Sequence, residues 1–212
     1  MSDDLDWCWR GARSLAGGGD YVPPEPDRPF VYRQTSIIKS GGRLEDAIGG
    51  SIPWGADGFT ISLPASGVVS RELRLAGGRQ AFEQLLASAL LHELVHYRQF
   101  RHVGHAGDTA PAKLADDEPV TLLADYYTDP RELEAHAAQI AFLLGPCDAD
   151  GETTEDVVFG RTEVGRRIEG RLGPLADGPL GERYAGFRAS LTELVGEWRE
   201  RLWPPEAAKP AA

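Results

Sequence analysis

From Arg79 to Val103 the chain contains neither glycine nor proline, although 25 glycines and 15 prolines are scattered through its 212 residues. Both residue types interrupt regular backbone, so a long stretch without them is free to form one continuous helix. Within it Phe82, Leu85, Leu86, Ala89 and Leu90 recur at helical spacing and form an apolar stripe. The spacing predicts a helix from about Arg79 to Gln99 or Arg101, ending before Gly104. The stripe runs directly into HELVH, residues 92–96.

Around this helix the order of expected elements is strands first and helices after. FVYRQTSII and GFTISLP alternate β-branched or apolar residues with polar ones and read as short strands, the second ended by Pro64. Downstream, Asp129-Pro130 has the form of a helix start, an N-cap acid before a proline in the first turn. The helix RELEAHAAQIAFLL comes next, stopped at Gly145-Pro146. A short helix is expected near Glu163 to Gly170. A last amphipathic one is expected from Gly181 to Leu202, with Tyr184, Phe187, Leu191, Leu194, Trp198 and Leu202 on its core face. This order predicts an α+β class: a small N-terminal β-sheet packed on the HExxH helix, with further helices C-terminal. The expected organisation is a poorly ordered segment over 1–30, where Gly, Pro and acidic residues crowd together, one domain over 31–203, and a disordered tail over 204–212.

Composition removes several classes of function. A formal net charge of −11 argues against broad affinity for nucleic acid or an anionic membrane surface, both of which need clustered Lys and Arg. Two cysteines, Cys8 and Cys147, are too few for a disulfide framework and form no CxxC pair, so they are read as reduced thiols. The acidic N-terminus has no secretory-type apolar run, and no stretch reaches the length of a membrane span, which makes the cytoplasm the expected location.

The chemistry lies in His92-Glu93-Leu94-Val95-His96. Residues i and i+4 share a helix face, so both imidazoles can be presented to one metal ion. Glu93 sits on the adjoining face, where its carboxylate reaches a metal-bound water without taking a coordination position. Zinc lowers the pKa of that water, and a carboxylate base removes its proton as it attacks a carbonyl. HExxH on a helix is the established spacing for this arrangement.

A third protein ligand has two sources. His92, His96 and His102 match HExxHxxGxxH, the signature of the metzincins, except that Gln99 stands where that pattern has glycine. The glycine lets the chain turn back sharply. Without it the helix continues, and His102 falls about 240° further round than His96 and about 9 Å along the axis. The metzincin pattern also has a methionine turn downstream, and the only methionine here is Met1. The alternative is in YYTDPRELEAHAAQ. The HExxH helix together with this second helix resembles the gluzincin branch of the zincin metallopeptidases over roughly residues 80–145. That resemblance implies a glutamate third ligand on the second helix. Glu132-Leu133-Glu134-Ala135-His136 fits with Glu132 as ligand and His136 as its support, whereas Glu134, directly before Ala135, is the competing choice. The two acids lie about 200° apart on a helix, so at most one faces the metal. Asp116, Asp117 and Glu118 in the intervening loop rank lower, because loops place ligands less firmly.

Supporting roles are sketched for Tyr126 or Tyr127, as donors to the developing oxyanion, and for Asp125 or Asp129, as acids orienting a ligand histidine. The strand GFTISLP is the candidate for pairing with an extended substrate. The function expected is a zinc metallopeptidase acting on a peptide or protein substrate, with His92, His96 and Glu132 on Zn2+ and Glu93 as base. The rival is a zincin-like scaffold without catalysis, a binding or phage-associated structural protein whose metal is retained or lost.

Overall fold

The computed structural model describes residues 2–19, 30–36, 49–51, 58–64, 78–103, 120–147 and 152–204. In chain order these hold α1 (Ser2–Ala16), β1 (Phe30–Ser36), β2 (Gly49–Ser51), β3 (Gly58–Pro64), α2 (Arg79–Val103), α3 (Val120–Thr128), α4 (Pro130–Leu144), α5 (Glu155–Arg161), α6 (Glu163–Leu172) and α7 (Gly181–Leu202). A single 3-10 turn, Gly173–Leu175, comes directly after α6. The chain gathers into two compact units, Ser2–Gly107 and Asp108–Ala212.

The first unit is built on α1 and α2. The helix spanning Arg79–Val103 passes through Gln99 without a turn, as the absence of glycine there predicts. Every residue from Leu86 to His96 is buried, so this helix is enclosed on all sides along its middle rather than along one stripe. Its main partner is α1, which contributes Trp7, Cys8, Ala12 and Leu15 to the core. Asp4 and Gly11 complete that buried face at helical spacing. Arg98 of α2 donates to Asp4 at 2.6 Å, joining the two helices where Asp4 is buried. Gly18, at φ +93°, lets the chain leave α1, and the amides of Gly17, Gly18 and Gly19 bond back to the last-turn carbonyls.

Two expectations are corrected here. The α+β class with an N-terminal sheet backing the HExxH helix is overturned: 83% of the residues with described side chains are helical. Among the described residues the strand backbone amounts to β1 and β3 in parallel, with the three-residue β2 antiparallel to β3. The HExxH helix packs chiefly on α1, not on strands. The N-terminus is likewise no loose segment over its first half, since Ser2–Ala16 is a helix with a buried face. The Gly- and Pro-rich composition that suggested disorder belongs to the stretch after α1, of which residues 20–29 lie outside the described ones, as does the tail beyond residue 204.

The second unit is a helical assembly in which α4 packs on α7, with α3, α5 and α6 around them. Asp129 is the N-cap of α4: its side chain accepts from the Arg131 amide at 2.9 Å, and Pro130 occupies the first turn. Gly145, at φ +74°, ends the helix, its amide bonding back to Ala141 and Phe142 carbonyls. Arg199 of α7 is buried and donates to the carbonyls of Gly145 and Pro146 and to Thr153 Oγ1, so one guanidinium satisfies the exit of α4. On α7, Tyr184, Phe187, Leu191, Trp198 and Leu202 are buried as the spacing predicts, and Val195 takes the place expected for Leu194. Cys8 is buried and Cys147 exposed. Among the described residues no helix is long and apolar enough to cross a membrane.

Candidate metal centre

The two histidines of HELVH stand one turn apart in the enclosed part of α2, with Glu93 between them, and all three side chains are buried. Their rings meet edge to face, with centroids 4.7 Å apart. The Nε2 atoms face each other at 3.1 Å. Two imidazole nitrogens held about 2.0–2.1 Å from one tetrahedral ion stand about 3.3–3.4 Å apart. The pair is therefore spaced to share an ion.

His96 is oriented by its other nitrogen. Nδ1 lies 2.9 Å from Oε1 of Gln99, three residues further along the same helix. An amide oxygen has no proton to give, so Nδ1 is the donor and Nε2 of the neutral ring keeps its lone pair. The residue that breaks the metzincin pattern thus serves as the partner of a site histidine. Sequence reasoning missed this role. The available signal was position, because i and i+3 share a helix face.

On α4, Glu132 is 6% exposed and Glu134 only half-buried. One ligand atom each from His92, His96 and Glu132 lies within 4.8 Å of the others, and the three form a buried group that can hold a metal ion. Of the two glutamates left open by the sequence, Glu132 is the one in the group. Among the described residues the group has three donors, two imidazoles and one carboxylate, a set that leaves a coordination position for a small molecule. His102 lies on the last turn of α2, whose unbroken backbone carries it away from the turn of His96. The loop acids Asp116, Asp117 and Glu118 lie outside the described residues.

The supporting residues sort differently from expectation. His136 is buried one turn after Glu132, its Nε2 3.9 Å from Glu132 Oε2, which is ion-pair range but too long for a hydrogen bond. Tyr127 packs its ring against His136, centroids 5.2 Å apart, and Tyr126 approaches the same ring edgewise. The Tyr127 hydroxyl accepts from Arg171 at 2.9 Å, and the residue is 2% exposed. Its phenol oxygen is thus tied to α6 within the helical core. Asp125 is exposed and paired with Arg183 at 2.7 Å, and Asp129 is occupied by the backbone and side chain of Arg131. Hydrogen bonding to Arg131 holds the Asp129 carboxyl below its usual range. Neither acid orients a site histidine; Gln99 does. No family model matches the sequence, and no curated protein or solved structure is significantly similar to it.

Proposed function

We propose that the protein is a zinc-dependent metallopeptidase that hydrolyses a peptide bond in a peptide or protein substrate. The observation that carries this reading is the buried His92, His96 and Glu132 group with Glu93 beside it on the HExxH helix. The donor set fits zinc, which takes two histidines and a glutamate in catalytic sites and keeps a fourth position open. The chemistry a bound zinc supplies is Lewis acidity, which acidifies water and polarises the scissile carbonyl. His92 and His96 would offer Nε2 and Glu132 a carboxylate oxygen, a ligand set that would leave a net positive charge at a divalent ion. Glu93 takes the proton of the attacking water and then delivers it to the leaving amine nitrogen. Its burial keeps that proton from bulk solvent during the transfer.

The test uses the full chain, with metal content measured by mass spectrometry and cleavage followed on a peptide library. His92→Ala is expected to lose both zinc and cleavage. Glu93→Gln is expected to keep zinc and lose cleavage by about 10²-fold or more, the scale of a general base. Hydrolysis retained in Glu93→Gln would remove Glu93 from its role. A protein that holds zinc and cleaves nothing in the library would favour the non-catalytic scaffold.

A further inference from the structure

Resting on the metal site proposed above, we infer that Gln99 is a positioning residue that selects the metal-binding tautomer of His96. A histidine binds a metal only through a bare nitrogen, and a neutral imidazole has one protonated and one bare. Which one is bare is decided by the partner of the other. Here Oε1 of Gln99 stands 2.9 Å from Nδ1 and can only accept, which keeps the proton on Nδ1 and the lone pair on Nε2. That Nε2 is the atom facing Nε2 of His92 at 3.1 Å. The two contacts lie on opposite sides of one ring, so the Gln99 bond aims the ring as well as setting its tautomer.

Two features of this partner bear on the site. It comes from the same helix as the ligands, because α2 does not turn at position 99. It is also neutral. A carboxylate in that place would draw the Nδ1 proton toward itself and make the imidazole a stronger donor to the metal. An amide orients the ring without adding negative charge, so the ion keeps more of its Lewis acidity. Gln99 thus replaces, in cis, the acid that was sought at Asp125 or Asp129, both of which are held by arginines.

The experiment measures Zn2+ affinity by competition with a chromophoric chelator, and the His96 tautomer by long-range 1H–15N correlation in the chelator-treated protein. The native chain is expected to show a protonated Nδ1 on His96. Gln99→Ala is expected to bind Zn2+ about 10–100-fold more weakly, the usual cost of losing such a partner, and to populate both tautomers. Helical content by circular dichroism should be unchanged. Gln99→Glu retains an acceptor and should hold the Nδ1-protonated ring with affinity at or above the native level. A bare Nδ1 in the native chain, or native affinity in Gln99→Ala, overturns the inference. If Gln99→Ala fails to fold, the native tautomer and the Gln99→Glu affinity still decide it. His92→Ala separates the two levels. If it abolishes Zn2+ binding while Gln99→Ala binds with native affinity, only the role of Gln99 falls. If it leaves binding intact, the metal site itself falls and the inference with it.

Discussion

Glu132 and Glu134 are two positions apart on one helix, yet burial separates them: Glu132 is enclosed with the histidines and Glu134 is half-buried. Glu132→Ala should therefore weaken Zn2+ binding by more than the about 100-fold upper range for losing an outer partner, whereas Glu134→Ala should leave it unchanged. Chelator competition on the two variants checks this, and equal losses would mean that Glu132 is not the ligand. Tyr127 calls for a different experiment. With its hydroxyl held by Arg171, Tyr127→Phe should cost about 1–2 kcal/mol of stability and leave kcat within about twofold, whereas loss of an oxyanion donor costs about 10²–10³. Denaturant melts and initial rates distinguish the two. At this scale the pairing of His92 and His96 was legible in the sequence, because the i, i+4 spacing on an uninterrupted helix fixes their common face. The choice between Glu132 and Glu134 was not, because the apolar face of α4 lies between them and only packing from other elements decides which side is enclosed. Gln99 was read for the residue it replaced rather than for what its amide can accept.

The boundaries of α4 were legible because a chemical cap marks each end. Asp129-Pro130 begins α4, and Gly145 at positive φ ends it. Asp129→Ala should destabilise the protein by about 0.5–2 kcal/mol, as N-cap losses do, while Asp129→Asn should retain most of the cap. The pH dependence has a definite sign. The hydrogen bond from Arg131 lowers the folded-state pKa below the ordinary 3.8. The ionised form therefore contributes stability above that ordinary value, and the contribution is lost as pH falls through the lower folded value. Urea melts at pH 7 and pH 3 should show the gap between native and Asp129→Ala narrowing in acid. At the far end of α4, Arg199→Met removes three part-buried hydrogen bonds and should cost about 1–3 kcal/mol. Other elements were missed. α1 escaped notice because Asp4 and Gly11 occupy two places on its buried face, so its pattern reads as polar although Trp7, Cys8, Ala12 and Leu15 keep helical period. α3 and α5 were missed for their brevity, nine and seven residues, where tertiary packing outweighs local propensity.

Fold class is where local reading failed furthest, and the reason is one of partners. Two strand-like patterns next to a long helix suggest a sheet beneath it, but nothing local in the sequence says that the principal partner of that helix is the N-terminal one. The metal donors raise the same problem of distance along the chain: residues 92, 96 and 132 come together only in the folded protein. An unfolded chain offers no such group, so an ion bound there acts on the folding equilibrium as well as on chemistry. Ligand that binds only the folded state stabilises it by about 4 kcal/mol at a free concentration a thousandfold above Kd. For a chain of 212 residues each kcal/mol raises Tm by roughly 2–4 °C, so saturating Zn2+ should raise Tm by about 8–16 °C. A scanning melt of the chelated protein with and without added Zn2+ measures this directly. The cysteines and histidines of the unfolded chain bind some Zn2+ and shrink the shift, so the decisive comparison is with His92→Ala, which keeps every other such side chain. If the native Tm rises with Zn2+ and that of His92→Ala does not, the stabilisation comes from the assembled group. Equal shifts in the two proteins would place the ion elsewhere and leave HELVH as a pair of buried histidines on a core helix.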